Sequence, residues 1–229
     1  MKKIILNPLI APILTACFLI YANIFSHWLY AVTSLEFFGN ESEVLTYTLY
    51  AVGFITALMY YRDFWKTDKQ TTYFALLFLW VVALLREMGA QHWLTKHDTT
   101  AIKIRFFTNP NNPLHEKIIA GTIVVVVVGV ALWLLIKYIK PMVKGFFSFK
   151  PLYWTIATFG GVGMVSQFCD RFPSNYYKAT GERLNVIVLD VLKLFEEGGE
   201  SCLPLLFTLG FVQYHLMKRM QRRHIFSKK

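Results

Sequence analysis

Six apolar stretches separated by short charged loops leave this 229-residue chain few ways to fold. They cover residues 8–32, 44–61, 72–94, 118–139, 152–168 and 201–217. Crossing a hydrocarbon core of ~30 Å takes roughly 20 apolar residues in a helix. A segment in lipid must also close its own backbone hydrogen bonds, which requires helices here. The expectation is an all-α integral membrane protein, a six-transmembrane-helix bundle forming a single domain over 1–229. An interfacial helix, or an extramembrane extension of the sixth span, is expected over 182–196.

Composition agrees. Hydrophobic residues make up 55% of the chain and charged ones 17%. The mean hydropathy of +0.41 is too apolar for an ordinary soluble domain. The net charge of +10 raises nucleic acid as a partner, but no recognisable nucleic-acid motif accompanies it. Most of the Lys and Arg instead fall in loops that orient membrane proteins. About fifteen lie at the amino end, in the second and fourth loops and in the tail, against about seven in the other loops. The expected topology has both termini in the cytoplasm of a bacterial inner membrane.

Lys2-Lys3 followed by an apolar run ending Leu14-Thr15-Ala16-Cys17 resembles a lipoprotein signal, with Cys17 as the lipidated residue. The run continues apolar to Tyr30, so a retained first helix is the better reading. Cys169 and Cys202 lie near the outer ends of spans five and six. A disulfide or simple packing between helices accounts for them, and no C-x-x-C pair points to thiol chemistry. Gly160, Gly161 and Gly163 in span five favour a close helix approach. Gly198-Gly199 permits a bend where the interfacial piece meets span six.

The charges at membrane depth point to a site. Arg86 and Glu87 lie roughly 22 Å into span three, in the outer third of the core. Gln91 shares a face with Glu87, and His92 follows about 140° around the helix. On span five, Gln167, Asp170 and Arg171 share a broad sector. At the head of span six, Glu196 and Glu197 align with Glu200 in continuous helix. Ionisable groups at such depth usually face a partner, a cavity or a substrate. Three groups at one end of three spans predict a shared outward-facing acidic site. Glu87, Asp170, Glu197 and Glu200 would be the acid/base groups, and Arg86, Gln91, Arg171 and Glu196 the binding groups.

Two arginines against five carboxylates leave excess negative charge. Raised carboxyl pKa values, an amine-bearing substrate or a divalent metal held by Glu87, Asp170 and His92 would each balance it. A structural network of salt bridges between helix ends is the bland alternative. Residues 102–106 alternate apolar and basic, so an extended segment would lay Lys103 and Arg105 along lipid headgroups. A solvated loop explains the same pattern. His27 and His92 lie at similar depth, a thin basis for a haem. His215, near the inner end of span six, is too far from either to join them.

Leu85-Arg86-Glu87-Met88, Asp170-Arg171 and Phe195-Glu196-Glu197, each opening or closing a span, resemble small bacterial multi-pass inner-membrane proteins. The resemblance implies a bacterial inner membrane and no particular reaction. The membrane-hydrolase superfamily that includes alkaline ceramidases needs a H-x-x-x-H pair near the last span. Only His215 stands there, so that zinc site is not carried over. The expected function is binding, and modification, of a lipid or lipid-linked substrate among membrane lipids. The alternatives are a non-catalytic assembly or accessory protein and, less favoured, a transporter or a haem-binding membrane protein. A transporter is disfavoured because comparable charges are missing from the inner halves of the spans.

Overall fold

The computed structural model describes residues 2–33, 42–90 and 104–226, and their regular structure is helical with no strand. In chain order the helices are α1 (Lys2–Ile5), α2 (Ile10–Thr33), α3 (Ser42–Met59), α4 (Gln70–Glu87) and α5 (Ile104–Thr108). There follow α6 (Leu114–Phe147), α7 (Pro151–Thr180) and α8 (Val186–Phe226), and a 3-10 turn at Tyr61–Asp63 closes α3. The all-helical class expected from hydropathy is the class the chain adopts.

Among the described residues, length and hydropathy single out one membrane-crossing helix rather than six. That helix is α6, whose best 18-residue window has a mean hydropathy of 2.8 with 6% of it buried. Its 34 residues extend about 51 Å, well beyond a ~30 Å hydrocarbon core. Shorter apolar segments lie at Ile10–Tyr21 and Thr46–Met59. The apolar runs of α7 and α8 are diluted by Gly160, Gly161 and Gly163 and by Ser166, Gln167, Gln213 and His215.

The chain divides into two compact units, one of Met1–Asp63 with Met142–Lys229 and one of Phe64–Pro141. In the first, α8 is the central helix, with α7 along it and α2 and α3 beside it. Its inward stripe places Cys202, Leu206 and Leu209 against Ala11, Phe18, Phe159 and Val162. Polar stitches follow the same helix. Ser201 meets Thr46 at 2.8 Å, and Cys202 donates weakly to Thr15 at 3.6 Å. The fully buried Gln213 accepts from Thr155 at 2.7 Å and donates to the carbonyl of Ile5 at 3.0 Å. A buried amide left unpaired is costly, so these two bonds hold α1 and α7 to α8.

The ends of α7 are set locally. Pro151 occupies the first turn, where its missing N–H costs nothing, and Gly181 closes the helix at φ 75°. Beyond it, Asn185 accepts from the N–H of Ile187 at 2.9 Å and so caps the start of α8. From there the chain stays helical through Gly198-Gly199, so that α8 is an extension of the sixth apolar stretch. The reason is packing. A Cβ on Gly199 would lie 2.1 Å from the Ser166 hydroxyl oxygen, so the glycine admits α7 rather than turning the chain. Gly160, Gly161 and Gly163, expected to serve that purpose, meet nothing within 4 Å among the described residues.

In the second unit, Thr72 of α4 bonds the Tyr138 hydroxyl of α6 at 2.7 Å and accepts from Lys137 at 3.1 Å. The Lys137 ammonium also lies over Trp133, 4.6 Å from the ring centroid. Residues 104–108 form the short helix α5 instead of the expected extended segment. Phe106 is fully buried against Ala120, and Asn112 donates to its carbonyl at 2.8 Å. An alternation this short yields to tertiary packing of the aromatic pair Phe106 and Phe107.

Candidate functional site

The first unit brings Asp170, Glu196 and Glu200 to one place. Asp170 stands on α7, and Glu196 and Glu200 lie one turn apart on α8, so helix periodicity aligns the latter pair. Burial raises the Glu196 pKa, and the charges of Asp170 and Glu200 raise it further, with Lys193 opposing. Glu197, next on the helix, is pushed up to about 7, mainly by burial. One of its carboxylate oxygens is 3.7 Å from the Lys193 ammonium. The other is buried without a hydrogen-bond partner. Both residues precede the apolar stretch 201–217. Cys169 is buried and free, and burial together with the Glu196 charge raises its thiol pKa. Cys202 is likewise a free thiol, so these two cysteines pack rather than bond to each other.

An apolar groove of about 320 Å³ lies along α2, α7 and α8, lined by Leu19, Thr158, Gly161, Val162, Val165, Phe195 and Gly199. Glu196 and Glu200 directly follow the lining residues Phe195 and Gly199, and Asp170 lies one turn past Ser166. None of the three carboxylates lines the groove itself. Its hydroxyls are already committed to backbone. Thr158 donates to the carbonyl of Trp154 at 2.8 Å, and Ser166, at the groove's edge, to that of Val162 at 3.0 Å.

The remaining expected residues are distributed otherwise. Arg86 and Glu87 close α4 in the second unit, Arg86 exposed and Glu87 half-buried. Both make interactions there. Arg171 is exposed on α7 beside Asp170. Gln91, His92 and Lys103 lie outside the described residues, as do the side chains of His27 and Arg105. Among the described residues no three His, Cys, Asp or Glu side chains are arranged to hold a metal ion. The donor set expected for a divalent metal includes His92, which lies outside them.

One constellation escapes sequence reasoning. His215 of α8 bonds the Asp63 carboxylate through Nδ1, and its ring stacks on Tyr60 with centroids 4.3 Å apart. Lys218 donates to the backbone carbonyl of Asp63. These residues tie the turn after α3 to the carboxyl-terminal half of α8. A signal existed, since Asp63 and His215 both lie near the carboxyl ends of apolar stretches. Comparison with known protein families, curated proteins and solved structures finds no match to this chain.

Proposed function

We propose that the chain is a multi-pass bacterial inner-membrane protein, with both termini cytoplasmic, whose outward-facing acidic site binds a lipid or lipid-linked substrate. What supports this reading is that α7 and α8, which carry Asp170, Glu196 and Glu200, also line an apolar groove. Pockets of ~300–1,000 Å³ are the usual size for small-ligand sites. The exposed apolar surface supports a membrane setting. Val125 and Ile136 of α6 are 70% and 74% exposed, Met164 of α7 75%, and Ile24 of α2 64%. Such surface in water would be an association hazard, whereas in lipid it is the outer face of the protein. The inner-membrane placement rests on the distribution of Lys and Arg and on the sequence resemblance.

Glu197 is the group suited to proton transfer, because a carboxyl that titrates near neutrality can both give and take a proton. Asp170, Glu196 and Glu200 would bind and orient. No step is assigned to a metal. The Lys193–Glu197 pair within α8 favours a second reading, an accessory protein whose charges only brace the helix.

The test is lipid retention. The protein, extracted from membranes in a neutral detergent and exchanged extensively, is examined by native mass spectrometry. The proposal expects a bound amphiphile at defined stoichiometry, lost in Gly161→Leu. Recovery in the soluble fraction after carbonate washing would refute the membrane assignment. Lipid-free protein would refute the binding assignment.

A further inference from the structure

The turn from α6 into α7 is tightly closed. Lys150 donates its N–H to the carbonyl of Gly145, and Phe149 donates to that of Phe146, each at 3.0 Å. This pair of hydrogen bonds ends a helix with one residue in the left-handed region, a place that glycine fills most easily. Here that residue is Phe149, at φ 51°. The indole N–H of Trp154 donates to the carbonyl of Phe146 at 3.0 Å, and its ring stacks on that of Phe146. The Tyr153 ring lies against Gly145 and leaves no room there for a side chain.

The tip of this turn displays apolar rings among cations. Phe147 is 75% exposed and Phe149 62%. Lys144 and Lys150 are exposed beside them, and neither ammonium has an ion-pair or hydrogen-bond partner among the described residues. No Asp or Glu occurs between Glu116 and Asp170. The neighbouring part of α8 has the same sign, carrying Lys218 and Arg219 just past Gln213, which bonds Thr155 of α7. Asp63, also at this end, is largely buried and bonded to His215. A left-handed phenylalanine strains the backbone where glycine would not. In return its ring stacks on Trp154, centroids 5.4 Å apart, and otherwise stands in the open. Strain kept at an exposed aromatic points to a partner for the ring.

We propose that the α6–α7 turn docks on anionic phospholipid, with Phe147 and Phe149 among the upper acyl chains and Lys144 and Lys150 on the headgroup phosphates. The fifth apolar stretch opens at residue 152, two positions past Lys150, which puts the tip at the headgroup end of that stretch. Apolar rings alone would suit any bilayer, whereas exposed ammonium groups with no exposed carboxylate beside them select an anionic one. The inference rests on the membrane setting proposed above and is independent of the acidic site.

The test uses the full chain in neutral detergent, with an environment-sensitive fluorophore at Ser148→Cys and the exposed Cys17 changed to Ser. It is titrated with short-chain phosphatidylglycerol or phosphatidylcholine. Phosphatidylglycerol is expected to bind about tenfold more tightly. In a Lys144→Gln, Lys150→Gln double variant the ratio falls towards one. Phe149→Gly weakens binding of both lipids without lowering the thermal transition, because glycine takes a positive φ freely. Equal binding of the two lipids by the parent, or no response to either, overturns the inference and leaves the membrane assignment standing. That assignment falls separately, on recovery in the soluble fraction after carbonate washing. A response reproduced by inorganic phosphate would make a free anion the ligand, and disulfide dimers through unlabelled Ser148→Cys would make the tip an interface between copies. Either result overturns docking on lipid.

Discussion

Ser166 of α7 and Gly199 of α8 approach so closely that a Cβ on the glycine would lie 2.1 Å from the serine hydroxyl oxygen. The same hydroxyl reaches the carbonyls of Val162 and Phe195, at 3.0 and 3.4 Å. This contact sets the spacing of the two helices that carry the carboxylates.

Gly199→Ala therefore turns the Ser166 hydroxyl away from the carbonyls of Val162 and Phe195, at a cost of about 1 kcal/mol. Gly163→Ala, at a helical position with open space, is expected to be neutral or to stabilise by about 0.5–1 kcal/mol. Thermal unfolding of the detergent-solubilised variants measures both. Equal melting temperatures for the two would contradict the packing role of Gly199.

The Asp63–His215 pair makes a different prediction. Asp63 is 9% exposed, so His215→Ala strands a buried carboxylate and is expected to destabilise by about 3 kcal/mol. Adding Asp63→Asn should recover part of that loss, because the stranded charge is gone. A double-mutant cycle in denaturant reads the coupling, and additive losses would mean that the pair is incidental.

Glu197 links stability to pH. Its carboxyl titrates at about 7 in the folded chain, against 4.5 for an ordinary glutamate. Below pH 4.5 both states hold the proton and the group costs nothing. As pH rises from 4.5 to 7 the unfolded chain releases its proton first, so stability falls, and above 7 the loss is complete. Glu197→Gln should match the parent at pH 4.5 and exceed it at pH 8 by about 1 kcal/mol, a figure reduced for solvent screening. Identical pH profiles would remove the burial argument.

The topology proposal concerns reporters at three places. Fusions at the carboxyl end and in the loop at Lys66 should be active as cytoplasmic reporters. One at Gly181 should be active only outside the inner membrane. A cytoplasmic signal at Gly181 would invert the orientation assigned to α7 and α8.

Local rules made the helices readable. Apolar runs of these lengths, Pro151 at a helix start and Gly181 at a helix end all act within a few residues. The alignment of Glu196 with Glu200 needs only the helical repeat, so that part of the acidic group was also legible. The raised carboxyl pKa values of Glu196 and Glu197 come first from burial, which a charge count along the chain does not contain.

By itself, the sequence determined helical class, apolar surface and charge bias, because these depend on neighbours along the chain. Tertiary structure alone decided which glycine admits a neighbour, which hydroxyls are used up along the groove, and that His215 meets Asp63. Those contacts join residues 33, 29 and 152 positions apart (Ser166–Gly199, Ser166–Phe195 and Asp63–His215). No local periodicity encodes them, since they follow from how whole helices seat against one another. Gly160, Gly161 and Gly163 have the composition of a packing motif, but a Cβ at each meets nothing within 4 Å among the described residues, whereas one at Gly199 meets Ser166.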